Sequence, residues 1–301
     1  MIELAGIKLS RLTKKRKYFL NNRVQFIRPK LAELNKQGFM CIDMHCHSSV
    51  SDGNRRPSII MKKAQKYGFG LSLTDHNAIK GSLEIHNKGT VPVILGIEVS
   101  ASNKRDFLLY FYERDELKEF YEKYIKDYRK IDPSTKTKIP MERILNVASN
   151  YNCIISAAHP FGYVYKNLHS YIHKKYDDVS RDDFISRLNA IEAINGTMTR
   201  AKNIKATKWA ISSKKAVTGG SDGHTLGEIG SVVTAAKTDS ASDFLDMIRK
   251  NESYVIGRES SIRAKLSAPG MMKNHFKHYP VKFKDKTVSL IKGKKLKRKV
   301  S

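Results

Sequence analysis

The sequence predicts an α/β fold whose sheet closes into a barrel, on two observations. Short apolar runs alternate with helical patterns from Phe39 onward, the arrangement that joins parallel strands through crossover helices. Histidines and acids stand at the ends of these runs, with pairs two residues apart at His45/His47 and again at Asp222/His224. On a strand such pairs share a face, so both can clamp one metal only if the first and last strands are neighbours.

Residues 1–38 read as a basic arm, with the run Lys14-Lys15-Arg16-Lys17, the dipeptide Arg28-Pro29 and at most one short helix. Residues 39–258 read as one folded unit, and 259–301 as a basic tail of weak periodicity. Within the unit, Cys41–Met44 is the first strand. Pro57–Tyr67 is the first helix, since Pro suits the first helical position and Gly68 the exit. Leu71–Leu73, Val93–Val99 and Phe107–Tyr112 are strands, and Asp115–Lys130 is a charged helix ended by the polar loop Asp132–Lys138. Met141–Asn150 reads as helix and Cys153–Ala157 as strand, followed by an irregular excursion over 165–180. Strands at 190–194, 215–219 and 231–236, helices at Ala201–Ser212 and Asp243–Lys250, and the strand Tyr254–Gly257 complete the pattern.

A chain of 301 residues with 40% hydrophobic content can bury a full core in one domain. No run approaches the roughly 18 apolar residues of a spanning helix, and the start lacks a secretory apolar block, so a soluble, cytoplasmic protein is expected. Cys41, Cys46 and Cys153 form neither a CxxC pair nor an even framework, which excludes a disulfide scaffold and favours buried strand residues. The net charge of +27 is concentrated at the ends: residues 1–36 carry ten Lys/Arg against two acids, and 258–301 carry fourteen against two. Basic ends favour a polyanion such as nucleic acid through counterion release, although lysine-rich tails can equally be merely solvated.

Five of the ten histidines lie in the segments Asp43-Met44-His45-Cys46-His47, Thr74-Asp75-His76, Ala158-His159-Pro160 and Ser221-Asp222-Gly223-His224. Ser51-Asp52-Gly53 and Gly96-Ile97-Glu98 add carboxylates. Imidazole with carboxylate suits zinc, manganese or iron, whereas an oxygen-only set suits magnesium or calcium. Several cations together neutralise phosphate oxygens and activate water, so phosphoryl chemistry fits better than peptide hydrolysis. Asp43 and Asp75 are expected to orient ligand imidazoles as acceptors. Arg55, Arg56, Lys80 and Arg200 are candidate phosphate donors, with Arg200 and Arg55 preferred. His86, His169, His173, His275 and His278 lack the strand-end context.

The ordered motifs His-x-His, Ser-Asp-Gly, Thr-Asp-His, Gly-x-Glu, Ala-His-Pro and Ser-Asp-x-His, from Asp43 to Gly230, resemble the polymerase and histidinol phosphatase (PHP) superfamily. The resemblance implies a distorted seven-stranded (β/α) barrel, two or three divalent metal ions (Mn, Zn or Fe) and phosphoesterase activity. It implies one metal on His45, His47, Glu98 and Asp222, a second on Glu98 and His159, and a third on Asp52, His76 and His224. Asp106 stands where the family often places a histidine, and is the candidate further ligand of the second. Glu98, Asp222 and His159 are the residues expected to carry catalysis.

The function expected is hydrolysis of phosphate esters of nucleotides or nucleic acid, of the 5′–3′ exonuclease or nucleotide phosphatase type, by a metal-activated hydroxide. A small-molecule phosphatase of the histidinol-phosphate type is the alternative, and leaves the basic ends without a purpose. A non-catalytic nucleic-acid-binding module is the third reading, and should have lost ligands that this chain keeps.

Overall fold

A computed structural model describes residues 19–20, 23–162 and 166–259. The expected tail from 260 onward and the first eighteen residues of the expected arm lie outside them. Two mixed sheets are found in place of one closed ladder. In the first, β1 (Phe19–Leu20), β2 (Val24–Gln25), β11 (Tyr254–Gly257), β10 (Val232–Lys237), β3 (Phe39–Cys46) and β4 (Gly70–Leu73) lie side by side. In the second the order follows the chain: β5 (Leu95–Ser100), β6 (Asp106–Phe111), β7 (Cys153–Ala157), β8 (Ala190–Asn195) and β9 (Ala216–Gly220).

The second sheet meets the first at both of its own edges through isolated bridges. Leu71 pairs with Val93 and His76 with Glu98 on one side, and Cys46 pairs with Gly223 on the other. Pro92, beside the first seam, accepts from Leu71 N–H but has no N–H to extend a ladder. At the second seam, Asp222 N–H donates to His45 carbonyl at 2.6 Å and His47 N–H to Gly223 carbonyl at 3.0 Å. The first and last motifs are therefore neighbours. Gly220 permits this approach, because a Cβ there would fall 2.3 Å from His45 N.

All-parallel pairing is not observed: β5/β6, β6/β7, β3/β10 and β10/β11 run antiparallel, while β3/β4, β7/β8 and β8/β9 run parallel. Between β5 and β6 only residues 101–105 intervene, too few for the crossover a parallel pair needs.

The helices are α1 (Leu31–Lys36), α2 (Pro57–Tyr67), α3 (Lys80–Ile85), α4 (Arg114–Phe120), α5 (Met141–Ala148), α6 (Leu168–Lys175), α7 (Asp178–Ser186), α8 (Arg200–Ser212) and α9 (Ala241–Arg249). Helix α4 runs into a π-helical turn, Tyr121–Ile125, that buries Tyr121 and Ile125, so the charged helix expected to Lys130 ends earlier. The excursion expected over 165–180 contains α6 and begins α7. Both helices are N-capped, Asn167 accepting from Ser170 N–H at 2.8 Å and Asp177 from Ser180 N–H at 2.7 Å. Residues 23–36, expected in the arm, pack on the domain: Val24, Phe26 and Leu34 are buried, and β2 pairs with β11.

The apolar faces of β5 to β8 meet α4, α5 and α8 over a core that includes Phe107, Phe111, Phe120, Leu145 and Trp209. Cys41, Cys46 and Cys153 are free and buried on β3 and β7. Among the described residues, no helix is long and apolar enough to cross a membrane.

Candidate metal centre

Strands β3, β5 and β6 carry His45, Glu98 and Asp106 to one buried region, and the segments after β3, β4, β7 and β9 add His47, Asp52, His76, His159, Asp222 and His224. Three groups result whose ligand atoms lie within 4.8 Å of one another: His45, His47 and Glu98; Glu98, Asp106 and His159; and His47, Asp52, His76 and His224. Glu98 joins the first two and His47 joins the first and third. Asp222 adjoins the first, its Oδ1 lying 3.1 Å from His47 Nε2 and 3.5 Å from His45 Nε2. All nine residues selected as metal ligands in the sequence thus converge.

Glu98 is the hub. Its Oε1 lies 3.1 Å from His159 Nε2, and its Oε2 lies 2.9 Å from His76 Nδ1 and 3.3 Å from His45 Nε2. Despite that 2.9 Å approach, neither Glu98 Oε2 nor His76 Nδ1 is in hydrogen-bonding geometry with any partner, and both atoms are buried. A ring nitrogen and a carboxylate oxygen placed this way suit a shared cation once the imidazole is neutral, as buried polar atoms otherwise carry a desolvation penalty. The donor set therefore fits divalent metal ions.

The electrostatics point the same way. Burial alone would raise the carboxylates, yet His76 and His45 hold Glu98 well below the usual range, and His224 and His76 do the same for Asp52. Asp222 is likewise held low, by His45 and a hydrogen bond from His47. Burial alone would lower the imidazoles, but Glu98 and Asp52 raise His76 to about 9, and Asp52 and Asp222 raise His224 to about 10. His47 differs: burial and the adjacent His224 keep it below its ordinary value. Such mutual perturbation of acids and bases in one buried region marks a functional site.

Backbone strain concentrates here too. His159 and Asp222 have φ of 28° and 48°, in the left-handed region that costs about 1 kcal/mol or more for a side-chain-bearing residue. Glu192 Oε2 accepts His159 N–H at 2.6 Å, and Asp222 Oδ2 accepts from Thr197 Oγ1 at 2.8 Å and Asn195 Nδ2 at 3.2 Å. These contacts hold both residues in place.

Asp43 and Asp75 do not face imidazoles, contrary to expectation. Asp43 accepts from Ser221 N–H and Oγ and from Gly230 N–H, at 2.6–2.8 Å, and so fastens β3 to the segment after β9. Asp75 accepts from Ser48 N–H and from the hydroxyls of Ser48 and Ser51, bracing the loop that carries Asp52. Backbone donors on adjacent loops outcompete ring nitrogens that already face other acids.

The residue that does face a candidate ligand is Glu192, which the sequence reading missed: its Oε1 lies 2.8 Å from His45 Nδ1. Its signal was a glutamate inside the apolar strand Ala190–Asn195, fully buried. Lys166 was missed as well; its Nζ lies 2.9 Å from Asp106 Oδ2. Asp106, Glu98 and Asp222 hold that ammonium above its usual range although burial opposes them. The amide of a Glu192→Gln variant cannot accept at both ends, so His45 or His159 loses its partner. Metal affinity should then fall about 10- to 100-fold, measured by manganese titration; unchanged affinity would refute the orienting role.

Of the candidate phosphate donors, Arg55 is exposed on the loop after Asp52. Arg200 is engaged elsewhere, its Nε 2.9 Å from Glu259 Oε1 and its guanidinium over the Phe26 ring.

Buried imidazoles and carboxylates in three adjoining clusters are consistent with divalent metal ions. By fold, the chain is similar to solved proteins of the PHP type. The family model described as PHP-associated matches residues 200–253. Among solved structures, the chain is similar to a two-domain protein from Bacteroides vulgatus ATCC 8482 containing a predicted PHP-like metal-dependent phosphoesterase. That match has TM-score 0.53 and 18% identity, and covers 80% of this chain and 70% of that one. PsfC from Pseudomonas syringae PB-5123 matches with TM-score 0.51 and 15% identity, covering 79% and 98%. Endonuclease Q, solved with a 27-mer duplex substrate carrying an abasic lesion at the active site, matches with TM-score 0.56 and 19% identity, covering 73% of this chain and 60% of that one. No curated protein matches the sequence.

Proposed function

We propose that this chain is a metal-dependent phosphoesterase acting on phosphate esters of nucleotides or nucleic acid. The carrying observation is the buried array in which Glu98 and His47 each join two neighbouring ligand clusters. In this reading His45, His47, Glu98 and Asp222 hold one ion, Glu98, Asp106 and His159 a second, and Asp52, His76 and His224 a third. Manganese, zinc or iron suits these donors. Such ions supply charge to neutralise a phosphoryl group and to acidify water.

The protein's own residues set the geometry: Glu192 fixes the tautomer and angle of His45, while Asn195 and Thr197 hold Asp222 so that Oδ1 faces the imidazoles. Arg55, on the loop after Asp52, is the candidate contact for the substrate's phosphate. The same reading takes β3 to β9, seven strands meeting at isolated bridges, as an incompletely closed barrel. It makes 39–258 the catalytic unit, with basic ends that favour a polyanion. Endonuclease Q's DNA substrate supports the nucleic-acid side of the proposal by analogy of fold.

Incubating the manganese-loaded protein with a 5′-phosphorylated oligonucleotide, beside an Asp222→Ala control, tests it. Mononucleotides released only by the unsubstituted protein would establish a nucleolytic phosphodiesterase. Release of inorganic phosphate alone would establish a monoesterase. Absence of both products, with small phosphorylated metabolites turned over instead, would overturn the nucleotide assignment.

A further inference from the structure

A trough of about 870 Å³ opens beside the centre, between α3 on one side and α4 with its π-helical turn on the other. Its volume lies near the top of the roughly 300–1,000 Å³ range of small-molecule pockets. Val50 and Ala78 are among its lining residues, each two residues along the chain from a member of the third ligand cluster, Asp52 and His76. Two residues of extended chain span at most about 7 Å, so the trough's lining comes within about 7 Å of backbone from the third cluster. Pro133, also in the wall, is held there because its carbonyl accepts from Asn77 Nδ2 at 2.8 Å.

The lining divides by chemistry. Ala78, Ile79 and Tyr121, all nearly or fully buried, give an apolar floor, and Ile131 projects beside them, 76% exposed. Lys80, Lys88, Arg114, Lys118 and Arg129 form the rim, against the acids Glu84 and Glu122. Glu122 is already paired with Lys126 at 2.6 Å. Lys118 also meets Asp115 at 3.2 Å, an exposed pair that contributes little and leaves its charge available.

A cationic rim over an apolar floor suits a chain that carries phosphates on one edge and flat apolar groups on the other. Single-stranded nucleic acid has that character, since unpaired bases can rest on the floor while the backbone follows the rim. A duplex presents phosphate ridges and would meet the rim alone. We infer that this trough binds a single strand of nucleic acid and leads it to the centre. The inference rests on the phosphoesterase reading for its direction, and names the substrate class of that site.

The test is fluorescence anisotropy of the full chain, in chelator so that no hydrolysis occurs, with a labelled single-stranded 12-mer over a salt series. Charge reversal on opposite walls, Lys80→Glu with Arg129→Glu, should weaken binding at least tenfold. It should also flatten the slope of log affinity on log salt by about 1.4, roughly 0.7 per lost phosphate contact. The pair Lys88→Glu with Arg114→Glu should act in the same direction. Lys208→Glu with Lys214→Glu, outside the trough, serves as the charge-matched control and should leave a smaller effect.

Equal losses in control and trough variants would overturn the inference, because binding would then be a matter of net charge and the basic ends. Tighter binding of a duplex 12-mer or of an acidic peptide, lost in the same variants, would overturn it in favour of that partner. If the trough variants lose binding while the metal-loaded protein cleaves no phosphate ester, the trough stands and the proposed function fails.

Discussion

Replacing Glu98 by Gln should lower kcat/KM for phosphate-ester hydrolysis about a thousandfold, the scale on which removing a group that organises transition-state charge acts. The variant keeps the shape of the side chain, so the packing around β5 is undisturbed. What changes is charge and donor–acceptor character. Glu98 Oε1 and Oε2 face His159, His76 and His45 at 2.9–3.3 Å, and the residue belongs to two of the three ligand clusters. One end of the amide becomes a donor turned toward imidazole nitrogens, and the negative charge that two clusters share disappears. Metal content measured beside the kinetics should fall by at least one ion per chain. A variant within tenfold of the parent in rate, with full metal content, would remove Glu98 from the centre of the proposed mechanism.

Stripping the metal ions should lower Tm by about 5–10 °C for each site that was held at a hundredfold excess over its dissociation constant. At that excess binding stabilises by about 2.7 kcal/mol, and a domain of this size shifts by roughly 2–4 °C per kcal/mol. The difference should depend on pH with a definite sign. In the metal-free protein His76 is raised to about 9 and His224 to about 10, above the ordinary 6.5 of an unfolded chain. Their stabilisation is thus complete below about 6.5 and is lost as pH rises through 9 to 10. Metal ions demand neutral imidazole, so their affinity grows over the same interval as protons leave. Scanning calorimetry of loaded and stripped protein should therefore show a small gap at pH 6 that widens steadily toward pH 9. A gap that narrows with rising pH would mean that the imidazoles of this array do not bind the ions.

Much of the candidate site was legible in the sequence because most of the candidate ligands sit near or just beyond a strand end, several beside a residue that turns the chain. Gly53 illustrates the point: a Cβ there would fall 2.4 Å from the carbonyl oxygen of His47. Residues in such positions recur as short motifs, and the ligand types announce their own chemistry. The strands and most helices were legible for a similar reason, since apolar runs and terminal signals such as Pro57 and Gly68 are local. The helices α6 and α7 were not, because they are short and polar and only the caps Asn167 and Asp177 declare them.

Glu192, Asn195, Thr197 and Lys166 show where local reading ends. Glu192 reaches His45 across 147 positions of sequence, and Asn195 reaches Asp222 across 27. Nothing near Lys166 predicts that it meets Asp106. Asp43 and Asp75 show the converse, since adjacency to ligands suggested partners that the loops themselves supplied.

By itself, then, the amino-acid sequence determined the inventory of candidate ligands, the order of most strands and helices, and the placing of most of the excess positive charge at the ends of the chain. Only the tertiary structure decided that the strands form two mixed sheets, which acids pair with which imidazoles, and that a basic trough lies between α3 and α4. The physical reason is range. Propensity, capping and periodicity act over a few residues, whereas the contacts that build a buried polar centre depend on how distant segments pack and on which of several nearby donors and acceptors lies at hydrogen-bonding distance.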